Sequence, residues 1–256
     1  MVTAPSPKRI VVKFGTGILT QPEANTLDHE QIERLSAEVA ATVRAGHECL
    51  VVSSGAVGAG LMTLGLSERP SDLAGIQACA AVGQSKLMHF YEMAFVKHGL
   101  HVAQLLLTYG DLDSRTCYAN AVNTIGRLLS GGKVVPIINE NDSVAVEELR
   151  FGDNDRLSAE VATLAHADLL ILLTTADGLM NGGEVIPEVR DIDAATEFVL
   201  PTKGKLSVGG MASKLQAVKL AVDAGIPTVI ASGRTPGIIE SILEGHPVGT
   251  RFFPKL

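Results

Sequence analysis

The chain has 256 residues, of which 46% are apolar and 19% charged, enough for one large α/β domain or two small ones with a sizeable core. Its 28 acidic against 21 basic residues leave a net charge of −7, and no Lys/Arg cluster exceeds a pair, which argues against a nucleic-acid binder. No stretch approaches the ~18 to 20 apolar residues that span a bilayer, and Lys13 interrupts the apolar run near the N-terminus, so a cytoplasmic protein with no membrane association is expected.

In chain order, short β-branched runs alternate with longer helical patterns. Arg9–Phe14 (RIVVKF) reads as a buried strand. Residues 28–45 read as a helix: Ile32, Leu35, Val39 and Val43 share one face, Asp28 with Gln31 resembles a capping box, and Gly46 is a stop signal. Leu50–Ser53 is a second strand and runs into the glycine-rich SSGAVGAG. A long, mostly apolar helix is predicted over Leu73–Lys97, with Gly99 after it. Further strands follow at Val102–Leu107, Val134–Ile138 and Leu169–Leu173, with helices at Tyr118–Leu129, Asn154–Ala165 and Met211–Ala224. Thr228–Ala231 reads as a strand, Ile238–Glu244 as a short helix and Arg251–Phe253 as a last edge strand. Cys49, Cys79 and Cys117 lack metal-ligand spacing and read as small buried hydrophobes in a reducing compartment. The region 181–201 reads as the least ordered part.

This alternation predicts an α/β fold with a mainly parallel sheet covered on both faces, in a single domain over 1–256. Such sheets bind ligands in the crevice beyond the carboxyl ends of their strands. The polar segments fall there: GTG after the first strand, SSGAVGAG after the second, NEND after the fourth, TTADG after LLILL. Within the loop that follows NEND, Val144–Leu149 reads as one arm of a hairpin lying over the site.

Lys13 ends an otherwise buried strand and precedes Phe14-Gly15-Thr16-Gly17, so its ammonium must leave at the end of the sheet, where glycines allow an anion to approach the backbone. SSGAVGAG offers backbone N–H groups and hydroxyls suited to carboxylate or phosphate. Gly209-Gly210-Met211-Ala212-Ser213-Lys214 opens a helix and places Lys214 in its first turn, against the helix dipole. One of Asn154 and Asp155 can serve as an N-cap, but capping does not explain Asn139, Asp142, Asn154 and Asp155 together. Two lysines on glycine loops with a carboxylate to hold them suggest phosphoryl transfer, a chemistry made almost entirely of positioning and charge.

VVKFGTGILT, VVSSGAVGAG, AAVGQSKLM, QLLLT, VVPIINENDSV, FGDNDRLSA and GGMASKLQA resemble, in order, the motifs of the amino acid kinase family. Within it they resemble the branch that phosphorylates the γ-carboxylate of glutamate in the first step of proline biosynthesis. The resemblance runs from about Lys8 to Phe253 and implies a three-layer αβα sandwich. It implies Lys13 and Lys214 on the transferring phosphoryl group, with Asp155 orienting them. Ser54, the Gly55 backbone, Asn139, Asp142 and Asn154 would hold L-glutamate, with Asp142 suited to its α-ammonium. ATP would lie along Lys13, Gly15, Thr174, Thr175, Val208, Gly209, Gly210, Met211 and Lys214, carrying Mg²⁺ on its phosphates with no dedicated protein ligands. The resemblance further implies inhibition by proline, through the glutamate site and the 144–152 hairpin, and a homodimer or tetramer. Three departures stand out: Thr175 where the family usually has Asp, Ser207-Val208 where it usually has Gly-Thr, and an end at Leu256 without the RNA-modification-like (PUA) domain of many members. Two alternatives remain open: a non-catalytic amino-acid-sensing module of the same fold, and a sibling kinase for N-acetylglutamate, aspartate or carbamate.

Overall fold

The structure, a computed structural model of the chain, describes residues 8–21, 26–144, 154–195 and 210–255. Strand β1 (Arg9–Phe14) is buried because it lies between two cores. Ile10, Val12 and Phe14 enter one and Val11 the other, so the two-residue period turns Lys13 to the side of Val11. A short helix α1 (Thr16–Leu19) and the hairpin strands β2 (Thr20–Gln21) and β3 (Thr26–Leu27) follow. Helix α2 (His29–Arg44) starts where the Asp28 carboxylate accepts from the Gln31 backbone N–H at 3.1 Å, and stops at Gly46, whose φ is 94°. Only half of the expected capping box forms. The Gln31 side chain instead donates to the Gly233 carbonyl at 2.6 Å.

Strand β4 (Glu48–Val52) leads into α3 (Ala56–Thr63), and α4 (Leu73–Val96) packs back across it. The two helices cross so closely that a Cβ at Gly60 would lie 1.8 Å from the Cys79 carbonyl oxygen, and one at Gly83 would lie 1.7 Å from that of Ala56. The remaining elements are β5 (His101–Leu107), α5 (Tyr109–Asp113), α6 (Arg115–Leu129), β6 (Val134–Glu140), α7 (Asn154–Leu164) and β7 (Leu169–Thr174). After them come β8 (Met180–Asn181), β9 (Glu184–Val185), β10 (Glu188–Val189), α8 (Ile192–Ala195), α9 (Met211–Asp223), β11 (Thr228–Ser232), α10 (Ile238–Leu243) and β12 (Thr250–Phe252).

Eight strands form one sheet in the order β10-β12-β11-β7-β1-β4-β6-β5, and every pair except β11–β12 is parallel. Side chains of α6, α7 and α9 fill one face; those of α1, α2, α4 and α10 fill the other. The molecule is thus a three-layer αβα sandwich with β1 near its centre, as the alternation of elements predicts.

Three expectations change. Residues Arg251–Phe253 do not form the edge: β12 lies between β10 and β11, and the two-residue β10 takes the edge, too short to leave a periodic signal. Residues 180–195 are not loosely organised; they form a hairpin, strand β10 and helix α8, while 196–201 lie outside the described residues. Cys49 and Cys79 are buried as expected, but Cys117 is exposed on α6. Among the described residues, no helix is long and apolar enough to cross a membrane.

Candidate active site

Strands β1, β4, β6 and β7 run in the same direction, so their carboxyl ends share one edge of the sheet. Lys13, the penultimate residue of β1, faces the layer of α7 and α9 there. Asp155, the second residue of α7, has no exposed surface and bridges two lysines: its Oδ1 lies 2.5 Å from Lys13 Nζ and its Oδ2 lies 2.9 Å from Lys214 Nζ. The Ser213 hydroxyl lies 3.4 Å from the same Oδ2. Burial alone would raise the Asp155 pKa, but the Lys13 and Lys214 ammonium groups outweigh it and hold the carboxyl below the ordinary carboxylate range. The carboxylate also offsets the unfavourable position of Lys214 in the first turn of α9. The trio carries one positive charge in excess, which favours an anion beside it.

Glycine gives the backbone room next to this trio. A Cβ at Gly15 would stand 3.5 Å from Lys13 Nζ and 3.2 Å from the Leu173 carbonyl oxygen, which accepts the Gly15 N–H at 3.1 Å. A Cβ at Gly17 would lie 3.1 Å from the Thr175 methyl, so the loop after β7 meets the loop after β1. Thr174 joins the same edge, its carbonyl accepting from the Gly233 N–H at 2.8 Å. Arg234 ties these loops together: it pairs with Asp28 at 2.9 Å and donates to the Gly17 and Thr20 carbonyls at 3.0 and 3.1 Å. Gly210 is the N-cap of α9, with no side-chain cap, and the half-buried Met211 packs its side chain against the core. Val208 and Gly209 lie outside the described residues, as do Ser207 and 145–149 of the expected hairpin arm.

A second cluster adjoins the first through the neighbouring residue. The Asn154 Nδ2 donates toward the Ser53 carbonyl at 2.7 Å, the Asn139 Oδ1 at 2.9 Å and the Ser54 hydroxyl at 3.0 Å. The Asn139 Oδ1 also accepts the Glu140 N–H at 2.9 Å, so its Nδ2 must face the other way, where it donates to Gln84 Oε1 at 2.8 Å. Gly55 begins α3 with φ of 97°, a conformation that glycine adopts readily, and no side chain caps the helix. Asp142 stands half-buried, its pKa raised because burial outweighs the pull of Arg69. Buried Glu140 is pushed up to about 7, by burial first and the Asp142 charge second.

The structure therefore gathers Lys13, Asp155 and Lys214 into one cluster and Ser54, Asn139 and Asn154 into another, joined at Asn154–Asp155. Asp142 borders the second without a direct bond to it among the described contacts. Sequence reasoning did not single out Gln84, Glu140, Ser213 or Arg234. Gln84 and Glu140 do lie within the quoted motifs AAVGQSKLM and NEND.

Residues 8–232 match the profile of the amino acid kinase family. The chain is 48% identical to a glutamate 5-kinase of Moorella thermoacetica, over 97% of this chain and 67% of the relative. It is 47% identical to one of Thermus thermophilus, over 98% of this chain and 68% of the relative. Solved structures of similar fold include a carbamate kinase of Giardia (TM-score 0.67, 17% identity, 98% of this chain and 100% of that one). A UMP kinase of Bacillus anthracis is similar too (TM-score 0.63, 15% identity, 98% of each chain).

Proposed function

Because the chain belongs to the amino acid kinase family, we propose that it transfers the γ-phosphoryl group of ATP to the γ-carboxylate of L-glutamate, yielding glutamyl 5-phosphate and ADP. The observation that supports this most is the buried bridge Lys13–Asp155–Lys214. The acceptor carboxylate is already ionised at neutral pH and needs no general base. One of its oxygens forms a bond to the γ-phosphorus, while the bond from that phosphorus to the β–γ bridging oxygen breaks and ADP departs with the electron pair. In this reading Lys13 and Lys214 meet the oxygens of the transferring group from β1 and α9. Asp155 fixes both cations before substrate arrives, so little reorganisation accompanies the reaction.

Ser54, the Gly55 backbone, Asn139 and Asn154 take glutamate, with Asp142 at its ammonium. Gly15, Thr174, Thr175, Val208, Gly209, Gly210 and Met211 border the nucleotide. No group of three or more His, Cys, Asp or Glu among the described residues could hold a metal, and both Asp155 oxygens face ammonium groups. The two ammonium groups suit phosphate oxygens, and Mg²⁺ would come bound to the phosphates of ATP and offset their charge. Proline carries the same ammonium and α-carboxylate pair as glutamate and would inhibit by taking the same cluster. Exposed Met62, Leu64 and Leu66 at the end of α3 form the apolar surface that a homo-oligomer would bury.

Hydroxylamine trapping tests the reading, because it captures an acyl phosphate as a hydroxamate. Hydroxamate formed only when glutamate, ATP and Mg²⁺ are all present supports it. ATP hydrolysis that ignores glutamate and yields no hydroxamate overturns it. Hydroxamate from aspartate or N-acetylglutamate instead would assign a sibling activity.

A further inference from the structure

The amide network beside the site has a fixed direction. The Ser53 carbonyl can only accept, so the Asn154 Nδ2 must face it, and the Asn139 amide is oriented by the Glu140 N–H as described above. Gln84 must then turn its oxygen toward Asn139, which leaves its Nε2 as the outward end of the chain. That Nε2 is buried and has no hydrogen-bond partner among the described residues; the Asn154 Oδ1 at the opposite end is in the same condition. A buried polar group left unpaired keeps its full desolvation cost, so a donor and an acceptor standing open at the two ends of one network call for a ligand with complementary groups. The preceding residue, Gly83, packs against the backbone of Ala56 and Gly60, which fixes this part of α4 closely against α3.

We propose that Gln84 is a further substrate-binding and specificity-determining residue: its Nε2 donates to a carboxylate of the amino-acid substrate, while its Oε1 sets the orientation of Asn139 and, through it, of Asn154. This rests on the amino acid kinase reading above and adds to it a residue on α4, an element that carries none of the site residues named so far. The bound amino acid supplies the acceptor for Gln84, and its ammonium the donor for Asn154 Oδ1. A ligand lacking that carboxylate leaves Gln84 unpaired.

Two substitutions test it. Gln84→Glu keeps the acceptor that Asn139 needs and removes the donor; Gln84→Met removes both and adds no charge. With the donor role, both variants raise the KM for glutamate by about tenfold to a hundredfold, the range of a lost hydrogen bond to a charged group. The KM for ATP stays close to that of the wild type. If Q84E binds glutamate like the wild type while Q84M does not, Gln84 serves only as the acceptor for Asn139 and the proposal fails. It also fails if neither variant changes the glutamate KM, or if the KM values for ATP and glutamate rise together. The near-isosteric Q84E keeps the test informative should Q84M not fold. A wild-type enzyme that forms no hydroxamate with glutamate overturns the functional reading instead, and the two failures are thereby distinguished.

Discussion

Replacing Asp155 with Asn keeps the shape of the side chain and removes the one negative charge between two buried ammonium groups. In the wild type each Nζ lies 2.5 to 2.9 Å from a carboxylate oxygen. With about 4 Å between charge centres and an effective dielectric constant of about 20, each attraction is worth about 4 kcal/mol, or about 8 kcal/mol for both. Against this stands the cost of burying the carboxylate itself, several kcal/mol, which the variant avoids. The balance should fall near the ~3–5 kcal/mol that follows from breaking a buried ion pair from one side. The pH dependence carries a second signature. Without Asp155, the two facing cations favour loss of a proton in the folded state, whereas an unfolded lysine keeps its proton up to about pH 10.4. The unfolded chain then binds more protons, so the stability of D155N rises with pH. Urea unfolding at about pH 7 and about pH 9.5 is expected to show a large deficit at the lower pH that narrows at the higher one. A variant as stable as the wild type, or a deficit that ignores pH, would refute the reasoning.

Lys214→Met leaves Asp155 paired with Lys13, so the fold should persist while kcat falls by about 10²–10³ and the glutamate KM moves far less; steady-state hydroxamate kinetics decide, and an unchanged kcat would remove Lys214 from the reaction. Glu140 holds a proton up to about pH 7 in the folded state against an ordinary value of 4.5, so wild-type stability falls as pH rises between those values. Glu140→Gln should abolish that slope and, above pH 7, exceed the wild type by at most about 3 kcal/mol; a stability difference that stays constant with pH would contradict it. Gly83→Ala should destabilise by about 3 kcal/mol or more, because its methyl would meet backbone. Gly126→Ala, with nothing within 4 Å of the added methyl, should be neutral or stabilising in α6; equal melting temperatures for the two variants would argue against the close α3–α4 crossing.

Much of the sandwich was legible because its signals are local. Runs such as RIVVKF and LLILLT read directly as buried strands, and a single lysine in such a run has to leave at the sheet end. Asp28 and Gly46 mark the ends of α2 by their own chemistry. Other features depend on partners far along the chain. Gln31 abandons its reciprocal cap for Gly233, 202 residues away. Asp155 meets Lys214 across 59 residues, through packing of α7 on α9 that periodicity alone does not specify. Helix α3 was hidden because glycine disfavours helix by about 1 kcal/mol per residue, whereas contact with α4 requires glycine at position 60. Gln84 reads as an ordinary polar position of a long helix until the amide network shows which of its atoms is committed.

The trio at the site draws its members from the first strand, from the middle of the chain and from a helix close to its end. A ribosome must therefore have released residue 214 before the pocket for a triphosphate can close. Unfinished chains, however well their early strands pair, should be unable to consume nucleotide, and recovery of turnover after dilution from denaturant should report the docking of α9 against α7 and β1 rather than the pairing of the early strands.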